Sequence, residues 1–211
     1  MSILTPIIVF FGALCFLYIF WNKLKEDYTS SIIFSVGFFS LIGMFIFYLL
    51  TRFLLLAKIE FADINSSGVL FWLTFVGGMA GYTVGLFKYK LRFFESLEAM
   101  GVAMLYLILA VFVADTFVGM SLISLAGSTT IALLLILFYF LESRYRDFTW
   151  YRSGRVGFSG LTTVGLFFLI RALVAFPFPF VLSFLGRAEI LVSALVTFLL
   201  FFAVYNLATK K

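Results

Sequence analysis

Along the chain, long apolar runs alternate with short polar breaks, and seven of the runs approach or exceed the roughly 20 residues that carry a helix across the hydrocarbon core of a bilayer. They extend from Ile3 to Trp21, Ser31 to Thr51, Val69 to Phe87, about Ser96 to Val118, about Leu122 to Leu141, Val156 to Pro179, and Ala188 to Ala208. The first run lacks the basic leader and small-residue cleavage site of a signal peptide, so it reads as a retained helix. The breaks are a polar loop from Ala57 to Gly68, a basic turn from Lys88 to Arg92, a short Gly/Ser-containing turn before Leu122, and a basic, aromatic loop from Glu142 to Arg155. No stretch reads as a soluble domain, linker or low-complexity tail. The pattern predicts an all-α polytopic membrane helix bundle in which residues 1–211 form a single transmembrane domain.

Composition strengthens that expectation: 64% of the 211 residues are hydrophobic and 12% are charged, against about 25% charged in soluble domains. The chain has no histidine, which excludes histidine general bases and histidine metal ligands. Its one cysteine, Cys15, excludes an intrachain disulfide and reads as a small packed apolar residue. The net charge of +5 raises the question of nucleic acid, but in a membrane protein excess Lys and Arg mark cytoplasmic loops. Counted by alternate breaks, Lys23, Lys25, Lys88, Lys90, Arg92, Arg144, Arg146, Arg152, Arg155, Lys210 and Lys211 fall on one side, and Arg52, Lys58 and Arg187 on the other. The bias predicts the N-terminus outside and the C-terminus in the cytoplasm, and accounts for the basic charge without nucleic acid.

One residue breaks the apolar pattern at depth. Arg171 lies inside the run from Val156 to Pro179, where a charge costs roughly 2.5 to 3.5 kcal/mol on insertion scales and usually faces a bundle interior, a partner or a polar cavity. The expected orientation puts it in the extracytoplasmic half. Three readings stand: its stem snorkels to the interface, it pairs with Asp115 near the outer end of the fourth run, or its guanidinium holds a phosphate oxygen. Gly77, Gly81 and Gly85 recur every four residues in the third run, with Gly78 beside them. Such a face lets another helix approach closely, or leaves room for a lipid chain or headgroup. Gly127, Ser128, Thr129 and Thr130 in the fifth run are expected to satisfy themselves on backbone carbonyls. Glu60 and Asp63 read as solvated loop carboxylates, and Glu95 and Glu98 as favourable charges at a helix N-terminus. Paired carboxylates, a Ser/His/Asp set, CxxC and a phosphate-binding GxxxxGK[ST] loop are all absent.

Laid out in this way, Gly154 to Phe176 (GRVGFSGLTTVGLFFLIRALVAF) and Ser66 to Met100 are similar to two segments of the prolipoprotein diacylglyceryl transferases, bacterial membrane enzymes that move a diacylglyceryl group from phosphatidylglycerol to a lipoprotein cysteine. Arg171 and Phe176 fit the late segment, and Ala175 stands where the family has Glu. The Gly-rich helix, basic turn and acidic helix start of the family are matched by Ser66 to Met100, without the family's His-Gly-Gly element. The expected signature near Ala110 to Gly119 lacks its Arg and terminal Glu, leaving Asp115 near the position of an Asn. Phe45 stands for a second-helix Arg, and Tyr48 is retained.

The resemblance implies seven helices in a bacterial cytoplasmic (inner) membrane, phosphatidylglycerol as the bound lipid, a lipoprotein precursor as a further partner, and no cofactor. It implies Arg171 as phosphate ligand, Asp115 as the candidate for proton handling, and Gly77, Gly78, Gly81, Gly85 and Tyr48 as lining of a lipid pocket opening outward among the third, fourth and sixth helices. Thioether formation needs a base for the cysteine thiol and positive charge for the departing glycerol phosphate. Arg171 answers the second need, while a carboxylate with a reference pKa of about 3.9 is a weak answer to the first. Two readings therefore follow: a divergent transferase, or a catalytically degenerate phospholipid- or partner-binding protein of the same fold. A small transporter or channel is the third class.

Overall fold

The computed structural model describes residues 4–56, 66–145, 157–178 and 187–209; the side chains of 54–56 and 66–70 are not described. Lys58, Glu60, Asp63, Arg146, Arg152, Arg155, Lys210 and Lys211 lie outside the described residues. The described residues form seven helices and no strand: α1 (Leu4–Leu24), α2 (Ser30–Leu56), α3 (Ser66–Tyr89), α4 (Phe93–Gly119), α5 (Leu122–Arg144), α6 (Phe158–Ala175) and α7 (Ala188–Thr209). Each corresponds to one of the apolar runs. Among the described residues, α1, α2, α4, α5, α6 and α7 are long and apolar enough to cross a membrane.

The helix ends follow local chemistry. The α3 helix closes on Lys90 at φ 53°, with Leu91 N–H bonded back to the Leu86 carbonyl at 3.2 Å, the six-to-one bond of a Schellman end. The α4–α5 turn is two residues long: Met120 adopts a left-handed conformation, and Ser121 caps α5 by accepting from Ser124 N–H. At the start of α6, Gly157 has φ 124°, a conformation that side-chain-bearing residues rarely adopt.

Close backbone approaches set the packing. A Cβ on Gly43 would lie 2.2 Å from the Gly77 carbonyl oxygen, and one on Gly81 would lie 2.0 Å from that of Phe39. The α2 and α3 helices thus touch backbone to backbone, running antiparallel. Elsewhere a glycine receives a side chain: Gly12 of α1 meets the Ala110 methyl of α4, and Gly101 of α4 meets the Val164 side chain of α6. An apolar cluster around Phe16, Phe20, Ile33, Tyr82 and Met100 joins α1 to α4. A second, around Trp72, Leu105, Leu135 and Phe168, joins α3 through α6, with α7 packed against it. The α6 helix is the enclosed one: 67% of its span is buried, against at most 44% in the other five spans.

Large apolar side chains cover the outside, including Phe10, Phe45, Phe53, Leu133, Ile136, Leu191 and Phe198, as a lipid-facing surface requires. Cys15 belongs to this outer face, a correction to its expected packed position: α1 buries the stripe of Gly12, Phe16 and Phe20, and Cys15 lies off it.

Candidate functional site: a buried arginine at the α6–α7 hairpin

Arg171 turns inward. It is 6% exposed, so the snorkelling expectation does not describe it. Its partner is Glu189, in the first turn of α7. Nε donates to Glu189 Oε1 at 3.0 Å, and Nη2 lies 2.9 Å from the same oxygen. Ser193 Oγ, one turn along α7, donates to Oε1 at 2.7 Å, and the Trp72 indole N–H from α3 donates to Oε2 at 2.7 Å. The guanidinium carbon sits 3.7 Å from the centre of the Phe71 ring, a cation–π contact. Three helices therefore meet on one ion pair.

This arrangement answers the cost of the charge. A buried ion pair offsets its desolvation only when further hydrogen bonds satisfy the remaining atoms, and Glu189 receives such bonds from Ser193 and Trp72 in addition to standing at the positive end of the α7 dipole. The guanidinium is less complete. Nη2 lies close to Oε1 but out of line with it, and is buried without a hydrogen-bond partner. Nε is thus committed to Glu189, while Nη2 has no aligned acceptor.

Asp115 is not brought to this centre as an ion-pair partner. It is exposed near the end of α4, where Ser124 Oγ donates to its Oδ2 across the α4–α5 turn. The glycines expected to line a lipid pocket are filled by α2. Added Cβ atoms would meet the Gly43 carbonyl at Gly77, the Met44 side chain at Gly78, the Phe39 carbonyl at Gly81 and the Val36 side chain at Gly85, all within 2.8 Å. This corrects the pocket-lining role: helix packing occupies the space a lipid chain would need. Tyr48 is half-buried on α2, with Arg52 over its ring at 5.9 Å. The polar patch on α5 bonds to its own backbone, as expected, with Ser128, Thr129 and Thr130 donating to the Leu125 and Ala126 carbonyls.

A second buried polar network lies at the other end of α6. Glu98 of α4 is 1% exposed and accepts from Gly160 N–H at 2.8 Å and Ser159 Oγ at 3.0 Å. Ser159 also contacts Glu142 Oε2 of α5, and Lys23 of α1 reaches Glu142 Oε1 at 2.6 Å. The expectation that Glu98 serves its own helix N-terminus is thus corrected: it binds the start of α6, while Glu95 pairs with Arg92 at 3.3 Å. Gly160 permits the approach, since a Cβ there would lie 2.3 Å from Glu98 Cγ.

Sequence reasoning missed Glu189, and the missing signal was hairpin register. In two antiparallel helices, positions equidistant from the connection face one another. Arg171 with Glu189, Gly165 with Thr197 and Gly157 with Leu207 follow that rule along α6 and α7. Among the described residues, no group of three or more His, Cys, Asp or Glu is placed to hold a metal ion. No protein-family model, curated protein or solved structure matches the chain.

Proposed function

We propose that this chain is a multi-pass protein of a bacterial cytoplasmic membrane, N-terminus outside and C-terminus in the cytoplasm, that holds the phosphate of phosphatidylglycerol at Arg171 without performing thioether transfer. The observation that carries the reading is the guanidinium itself: buried, stacked on Phe71, fixed by Glu189 through Nε, and left with a buried Nη2 lacking an aligned acceptor. An unpaired buried donor carries a penalty of about 1–3 kcal/mol that a ligand acceptor would remove, and a phosphate oxygen forms a strong charge-assisted partner for it.

The likeness of Gly154 to Phe176 to the late segment of the diacylglyceryl transferases supports phosphate as that acceptor. The departures support loss of the chemistry. The chain has no histidine, Asp115 is taken by Ser124, and Glu189, the carboxylate beside the arginine, is engaged as an ion-pair acceptor and not free to act as a base. Phospholipid binding is the alternative reading of the resemblance that this geometry favours.

The test uses purified protein with phosphatidylglycerol or phosphatidylcholine and a peptide bearing a lipoprotein cysteine. Selective phosphatidylglycerol binding, lost in Arg171→Ala and in the charge-neutral pair Arg171→Met/Glu189→Gln, with no thioether product, is the expected result. Binding unchanged in both variants overturns the site. A thioether product would establish the transferase reading instead.

A further inference from the structure

The network at the start of α6 presents a hydrogen count that does not close with both carboxylates ionised. An ionised carboxylate only accepts, and a serine hydroxyl has one hydrogen to give. Ser159 Oγ is within bonding distance of two carboxylate oxygens, Glu98 Oε1 and Glu142 Oε2. The other donors among the described residues are already placed: Gly160 N–H on Glu98 Oε1, and Lys23 Nζ on Glu142 Oε1. One of the two Ser159 contacts therefore lacks a hydrogen unless a carboxyl group brings it.

Charge leads to the same place. Among the described residues, the charged groups facing the buried Glu98 are Lys23 from α1 and the partly exposed Glu142 from α5, so two negative charges meet one positive charge. Among the described residues, the other elements bring no further cation into contact with it. The α6 helix presents the Ser159 hydroxyl and the Gly160 N–H, Tyr82 of α3 is bonded to Ser96 at 2.8 Å, Glu95 on the same helix is turned to Arg92, and α7 contributes the apolar Val204 and Leu207 to the neighbouring cluster.

We infer that Glu98 and Glu142 form a proton-binding site, sharing a single proton through the Ser159 hydroxyl. With that proton the network of Lys23, Glu142, Ser159 and Glu98 is neutral, and every oxygen–oxygen contact in it has a hydrogen. The proton ties α4 and α5 to the first turn of α6. When it leaves in alkaline solution, the two carboxylates oppose one another across Ser159, and the attachment of α6 loosens on that side of the pH scale. The inference is independent of lipid binding at Arg171, which lies at the opposite end of α6.

Infrared spectroscopy of the full chain in lipid nanodiscs in heavy water reads the proton directly, through the C=O stretch of a protonated carboxyl group. The wild type is expected to show this band at neutral pH and to lose it on alkaline titration. Glu98→Gln and Glu142→Gln are each expected to lose it at neutral pH, because the remaining carboxylate has Lys23 to itself. Ser159→Ala, which retains both acids, should shift the band by removing the bridging hydroxyl. A wild-type spectrum without the band overturns the inference with no variant needed. A band unchanged in either glutamine variant, or unmoved in Ser159→Ala, overturns it equally.

Discussion

Arg171 and Glu189 meet through a single oxygen: Nε and Nη2 both close on Oε1, at 3.0 and 2.9 Å, while Oε2 accepts from Trp72. The pair joins α6 to α7 and, through Trp72, both of them to α3. Removing one partner leaves a buried charge uncompensated, which costs about 3–5 kcal/mol. Glu189→Gln and Arg171→Met are each expected to lower stability on that scale. Arg171→Met combined with Glu189→Gln should recover most of the loss, because no unpaired charge remains. Chemical unfolding of the four proteins in one detergent completes the double-mutant cycle, and strictly additive losses would show that the two side chains are not energetically paired.

Among the described residues, the tightest glycine approaches lie between α2 and α3. Gly81→Ala places a methyl 2.0 Å from the Phe39 carbonyl oxygen, and the next atoms are also backbone. Relief requires the helices to separate, and overpacking of this kind costs typically about 1–3 kcal/mol. At Gly119 the nearest atom is the end of the flexible Asp115 side chain, at 3.3 Å. Thermal unfolding should thus show a clear loss for Gly81→Ala and a much smaller change for Gly119→Ala.

Asp115 and Ser124 hold a two-residue turn together from outside the Arg171 centre. Asp115→Ala is expected to lower stability by about 1 kcal/mol, the net worth of an ordinary hydrogen bond, and to leave phosphatidylglycerol binding unchanged. A loss of lipid binding comparable to that of Arg171→Ala, measured on the same preparations, would return Asp115 to the site.

How far the sequence reached depends on the range of the interaction. Helix positions follow from the length of apolar runs, a local quantity, and the ends of α4 and α5 at Gly119 and Leu122 needed only the short turn between them. Arg171 was legible because a charge inside an apolar run is anomalous wherever it lies. Glu189 was not, because a carboxylate in the first turn of a helix has an ordinary explanation in the helix dipole, and only the facing register of α6 and α7 reveals its partner. Glu98 was hidden for the same reason: its position suits its own helix N-terminus, and its bond to Gly160 depends on a glycine 62 residues away. The glycine repeat on α3 was visible as a face, but whether lipid or protein filled it depended on Gly43 and Phe39 of α2.

The proposed orientation can be read from two exposed positions on opposite ends of the bundle. Replacing the native thiol by Cys15→Ser leaves a background without cysteine, and Cys15 lies on the outer face of α1, where serine disturbs no core contact. Leu122, at the start of α5, is 80% exposed, and Glu26 is exposed in the turn between α1 and α2. Helices that alternate in direction place these two turns on opposite sides of the membrane. The excess of Lys and Arg follows the Glu26 side, so a membrane-impermeant thiol reagent applied to intact cells should label Leu122→Cys and spare Glu26→Cys until the cells are opened. The inverse labelling would reverse the orientation and put Arg171 in the cytoplasmic half. Labelling of both positions in intact cells would mean that the bundle does not alternate across the membrane, and the lipid headgroup proposed for Arg171 would then have no leaflet to come from.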